Sequence, residues 1–252
     1  MNTHFFSDTS VMLGRSMRHV TRSMDTILTV TITPIAIMLL FVYVFGGAIQ
    51  AGTHNYVNYL MPGILLIAIA SGISYTAVRL FNDTQQGIIA RLHSLPVSRG
   101  AVLWGHVLTS LVSNALSLVI IILVALAMGF RPSANPAAWL AVAGVLALFT
   151  LALTWLAVIP GLTAKSIDGA AAFSYPLVLL PFISSAFVPT ATMPTPVRVF
   201  AEHQPVTALV DTLRDLLYGQ PVSGTIWTAL AWCAGIAVLA YGLAMRAYKR
   251  VP

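Results

Sequence analysis

Six long apolar runs dictate what this chain can become. They cover residues 27–45, 60–80, 102–130, 139–162, 170–187 and 226–245, separated by polar or proline-bearing segments. About 20 apolar residues cross the roughly 30 Å hydrocarbon core of a bilayer as a helix, with the backbone groups bonded inside the segment itself. Composition agrees: 58% of the 252 residues are hydrophobic and 8% are charged, where a soluble domain carries about a quarter charged residues. The strands of a membrane barrel would alternate apolar and polar residues, and these runs do not. The chain therefore reads as all-α, one polytopic transmembrane domain over 1–252 with six spans, the third long enough to tilt. The first run follows 26 residues and has no small-x-small cleavage site behind it, so it reads as a retained span rather than a secretory signal. Cys233 is the only cysteine, which rules out an intrachain disulfide and a cysteine-based metal site.

Orientation follows from the basic residues, which insertion retains on the cytoplasmic side. Arg15, Arg18, Arg22, Arg79, Arg91, Arg99, Lys165, Arg246, Lys249 and Arg250 fall on one face, against Arg131, Arg198 and Arg214 on the other. Both termini are expected to be cytoplasmic, in the cell membrane. The net charge of +6 is spread over the loops of that face without aromatic interleaving, so topology accounts for it and a nucleic-acid footprint does not.

Three segments outside the runs carry their own pattern. Residues 1–26 mix apolar side chains with Arg15, Arg18 and Arg22 and suggest an amphipathic helix lying on the membrane surface. In the loop 81–100, Asn82 or Asp83 could cap a short helix; Ile88, Leu92 and Leu95 follow at helical spacing around Arg91, and Pro96 stops it. That helix could rest on headgroups or insert into a groove on a soluble partner. The segment 188–225 holds five prolines and an amphipathic stretch, 208–218, with Asp211 and Arg214 placed to pair at i, i+3. It reads as an outer, partly re-entrant cap.

No phosphate-binding loop, nucleophile elbow or His-Glu-x-x-His pair occurs, so the chain is expected not to be an enzyme and to hold no cofactor or metal. His106 is expected to be a packing or interfacial residue, because no Asp or Glu falls inside the six runs to partner it. An ion-coupled carrier, the alternative from another class, would want such ligands and inverted repeats. Any chemical energy must then come from another polypeptide, and the 81–100 loop is the docking candidate.

The residues Tyr59-Leu-Met-Pro-Gly63, Asp83 and Gly87-Ile-Ile-Ala-Arg-Leu-His-Ser-Leu-Pro-Val-Ser-Arg99, with Phe187-Val-Pro189, Met193-Pro194, Gln204-Pro-Val-Thr207, Asp211, Arg214 and Gly219, resemble the permease subunits of type 2 ATP-binding-cassette exporters, particularly the daunorubicin-resistance group. The resemblance covers nearly the whole chain. It implies an ATP-driven exporter subunit moving an amphiphilic drug-like, antibiotic or lipid-type substrate, with a polysaccharide or lipid-linked polymer as the alternative cargo. It implies a separate nucleotide-binding ATPase subunit that holds ATP and Mg, and a second permease copy. The coupling helix would lie within 81–95, with Asp83, Gly87, Ile88, Arg91, Leu92, Leu95 and Pro96 as the coupling residues. The pathway is expected along spans two and five, whose Ser71, Tyr75, Ser174, Tyr175, Phe182 and Ser185 could face a cavity or simply pack helices together.

Overall fold

A computed structural model describes residues 24–46, 56–93, 99–221 and 224–250. The expected surface helix within 1–26 lies almost wholly outside the described residues, as do Leu95, Pro96 and the side chain of Leu92. Every regular element among the described residues is helical. Helix α1 runs Met24–Leu39 and continues as a π-helical turn over Leu40–Phe45. Then follow α2 (Tyr56–Gln85), the short α3 (Ile88–His93), α4 (Arg99–Ala127) and α5 (Pro136–Thr163). The chain continues through α6 (Ile167–Ala172), α7 (Ser174–Leu179) and a 3-10 turn (Leu180–Ile183) to α8 (Thr195–His203), α9 (Pro205–Leu217) and α10 (Thr225–Tyr248).

Four of these helices are long and apolar enough to cross a membrane: Tyr56–Gln85, Gly100–Ala127, Pro136–Thr163 and Thr225–Tyr248. They match expected spans two, three, four and six, each shifted or extended by a few residues. The other two are shorter apolar stretches, Val30–Phe45 and Ile167–Ile183, so six full-length spans are not seen among the described residues. The fifth expected run, 170–187, departs most. It is broken at Phe173 and again at Leu180, and ends in a turn over residues 184–187. Pro176 and Pro181 lie inside it; each removes a helical N–H and crowds the carbonyl four residues back, a cost that hydropathy does not register.

Helix α2 is the hub. Every residue from Leu60 to Ala70 is buried, the signature of a helix enclosed on all sides, and it packs against α1, α4, α5, α6 and α7. Helix α10 lies mainly on α5, and α9 bridges α10, α5 and α2. Helix α5 starts cleanly because Asn135 Oδ1 accepts the Ala138 N–H at 2.7 Å with Pro136 in the first turn. Two apolar clusters result. The larger surrounds the first part of α2; the smaller joins Leu80, Ile89, Leu103, Val107, Trp155, Leu162 and Tyr248 at the opposite end. Trp155 anchors the second, edge-on to Trp104 at 5.2 Å and to Tyr241 at 4.8 Å.

Candidate functional site

A bonded group of polar side chains lies at each end of α2. At its first turn, Pro62 cannot donate to the carbonyl four residues back, that of Asn58. The Tyr218 hydroxyl donates to this carbonyl at 2.7 Å, and burial raises its pKa, so it stays a protonated donor. One residue on, Arg214 lies over the Tyr59 ring, 4.2 Å from its centroid, and donates to the Tyr59 carbonyl at 3.3 Å and the Ser185 carbonyl at 2.8 Å. The same guanidinium pairs with Asp211 at 2.9 Å, and Asp211 also accepts the Ser185 hydroxyl at 2.7 Å. Gly63 completes the fit: a Cβ there would stand 2.5 Å from that of Ala186.

Around this centre, Tyr56 donates to the Phe187 carbonyl at 2.9 Å, and the Arg131 N–H donates to Asn58 Oδ1 at 3.0 Å. Gln204 Nε2 donates to the Ile183 carbonyl, satisfying backbone that the broken segment leaves outside a helix. The segment Tyr59–Gly63, the 184–187 turn and α9 are thus one bonded cap, although 155 residues separate Tyr59 from Arg214. The i, i+3 pair of Asp211 and Arg214 is present as expected, but as one strand of a wider net. The amphipathic helix begins at Pro205, a turn earlier than residue 208, and the helix Thr195–His203 before it was not anticipated.

This net makes a defined prediction. Tyr218→Phe leaves the Asn58 carbonyl without a donor and should destabilise the protein by about 1–2 kcal/mol. In a Pro62→Ala background the restored helical N–H takes over, so the same change should cost less, with a coupling of about 1 kcal/mol in a double-mutant cycle. Equal costs in both backgrounds, read by thermal unfolding in detergent, would contradict it.

At the other end, the expected coupling residues divide. Asp83 does not cap α3: α2 runs on to Gln85, beyond its apolar run, and carries Asp83 within 3.4 Å of His106 Nε2 on α4. His106 therefore has an acidic neighbour that the run boundaries hid. Gly87 adopts φ +68°, a left-handed turn that glycine enters at no steric cost, and this lets the chain leave α2 and start α3 at once. On α3, Ile89 is 1% exposed within the smaller cluster, Ile88 is half-buried and Arg91 is exposed. Ile89, absent from the expected face, is the residue that seats the helix.

The expected pathway residues sit on neighbouring elements, since α2 packs against α7. Ser71 is half-buried, and Tyr75 and Tyr175 are exposed. Ser174 and Ser185 are buried, bonded to the Ala171 carbonyl and to Asp211. Phe182 stacks on Phe187 at 4.9 Å beside Phe41 of the π-helical turn.

Comparison with known proteins gives a consistent picture. The family model described as ABC-2 type transporter matches residues 7–218. The daunorubicin resistance ABC transporter permease protein DrrB1 of Streptomyces coeruleorubidus is 26% identical over 230 residues, 88% of this chain and 79% of that protein. The probable doxorubicin resistance ABC transporter permease protein DrrC of Mycobacterium tuberculosis is 25% identical over 242 residues, 93% of this chain and 86% of that protein.

Proposed function

The chain belongs to the ABC-2 type transporter family, and on that premise we propose that it is the membrane subunit of an ATP-driven exporter of amphiphilic, drug-like compounds. It is a multi-pass membrane permease homologous to drug-resistance permeases, and membership of an ABC transporter family implies an ATPase partner. The observation that carries the reading is the match along residues 7–218, which takes in both bonded ends of α2. In this reading the ATPase is a separate subunit that holds ATP and Mg, and two permease copies enclose the pathway, with Ser71, Tyr75, Ser174, Tyr175, Phe182 and Ser185 near it.

Coupling is assigned to residues 83–96, within which lie the Gly87 turn and α3. Arg91, exposed on α3, and Ile88, Leu92, Leu95 and Pro96 supply the surface met by the ATPase; Asp83 and Gly87 set its position. A helix of six residues has little stability of its own, which suits an element held between two bodies. Co-purification of the tagged permease with a soluble ATPase tests the reading, and drug transport in vesicles stripped of any ATPase would overturn it.

Topology is tested separately. The basic residues put the Asp83 end of the bundle in the cytoplasm and the Arg214 cap outside. Cysteine replacing Thr195, exposed at the start of α8, should react with an impermeant thiol reagent in intact cells. Cysteine replacing Gln86, exposed beside α3, should react only after permeabilisation. The reverse pattern would invert the protein in the membrane.

A further inference from the structure

Helices α2 and α4 are the two arms joined by the segment that carries α3, and they are bonded to each other inside the bundle as well as at its end. Thr76 on α2 donates to Ser110 on α4 at 2.9 Å. Ser110 is 3.2 Å from Thr154 of α5, whose own hydroxyl proton goes to the Thr150 carbonyl at 2.6 Å. A hydroxyl has one proton, so Ser110 must be the donor to Thr154, and the bonds run in one direction across three helices. One turn further in, Asn114 donates to the Ser110 carbonyl at 2.9 Å. Its Oδ1, with Asn114 only 3% exposed, has no hydrogen-bond partner among the described residues and lies against Gly72 of α2, where any Cβ would collide with it.

Positions 72, 76 and 83 share one face of α2, and 106, 110 and 114 share one face of α4. The contacts Gly72 with Asn114, Thr76 with Ser110, and Asp83 with His106 therefore form a single antiparallel seam. It starts among the buried residues of α2 and ends beside α3. Buried polar side chains between membrane helices fix which surfaces meet, because any slip strands them in hydrocarbon. The glycine adds shape to this, since it admits the Asn114 amide and no bulkier arrangement.

We propose that this seam makes the α2–α3–α4 hairpin one rigid lever, so that a displacement of α3 reaches the membrane interior without the two arms parting. The inference rests on reading α3 as the contact with the ATPase subunit. Gly72, Thr76, Ser110 and Asn114 are then positioning residues for coupling, inside the bundle and away from the surface that α3 offers to the ATPase.

The purified permease in lipid nanodiscs tests this without any ATPase. With Cys233 replaced by alanine, nitroxide labels at Gln85 and Arg246 in one sample, and at Gly100 and Arg246 in another, report each arm against α10. The unaltered seam should give one narrow distance peak per pair, and Thr76→Ser, which keeps the hydroxyl, should preserve it. Asn114→Leu combined with Thr76→Val should lose the single peak in both samples. Should that variant fail to fold, Ser110→Ala removes the shared hydroxyl while leaving the Asn114 bond to the backbone, and should broaden both peaks. Unbroadened peaks in the seam variants, or arms that already move apart with the seam intact, would overturn the lever. Absence of a co-purifying ATPase would instead sink the coupling reading and leave these distances as they are.

Discussion

Arg214→Ala should destabilise the permease by about 2–3 kcal/mol and detach the cap from α2. The arginine joins three parts of the chain at once: Asp211 on its own helix, the Ser185 carbonyl in the turn after the broken segment, and the Tyr59 carbonyl and ring on α2. Losing it frees an acidic side chain and two carbonyls together. Breaking a fully buried pair costs about 3–5 kcal/mol, but the Arg214 and Asp211 side chains are 22% and 35% exposed, so water relieves part of the penalty. Arg214→Lys should recover less than half, because an ammonium cannot present two donor directions and a planar face together. Asp211→Asn should be the mildest, since the amide oxygen still accepts. Thermal unfolding of the three purified variants in detergent, with export measured in cells, provides the check; an unchanged midpoint for Arg214→Ala would show that the cap is held by its apolar contacts alone.

Ile89→Asp should abolish export while leaving the bundle folded. Its side chain is buried in the apolar cluster that also holds Leu80, Leu103 and Trp155, and replacement by a carboxylate removes the apolar anchor and would place an unpaired charge there. The helix has six residues, too few to persist undocked, so it should leave its seat rather than tolerate the charge. The expected result is normal membrane insertion and a near-normal melting midpoint, with loss of ATPase co-purification and of drug resistance. Arg91→Glu, on the exposed side of the same helix, should weaken the association without unseating α3. Full co-purification and full resistance in Ile89→Asp would show that the ATPase docks elsewhere.

The parts of the fold that rest on uninterrupted burial were legible in the residues themselves. The α2 run, enclosed on every side, could be read from composition alone, and α4, α5 and α10 nearly as well. The fifth run could not, since its other residues keep it apolar on average despite Pro176 and Pro181, and hydropathy is blind to the hydrogen bonds those prolines delete. Asp83 was misplaced for a related reason: a run ends at its last apolar residue, but α2 continues to Gln85 and takes Asp83 to His106. At the cap, Asp211 and Arg214 could be paired by spacing within one helix. Tyr59, Ser185 and Tyr218 could be joined to them only in three dimensions, because three of the joining atoms are backbone carbonyls, which every residue carries. The one cue in the residues was Pro62, whose missing N–H announces a carbonyl in need of a donor.

That proline ties the history of two distant positions. While residue 62 is proline, the Asn58 carbonyl depends on Tyr218, and a lineage that loses the tyrosine first passes through a weakened intermediate. One that loses the proline first regains the helical N–H and releases the tyrosine to vary. The two positions should therefore be inherited as a unit, with an order of loss: among descendants of such a chain, proline without tyrosine should be the rare combination and tyrosine without proline the tolerated one.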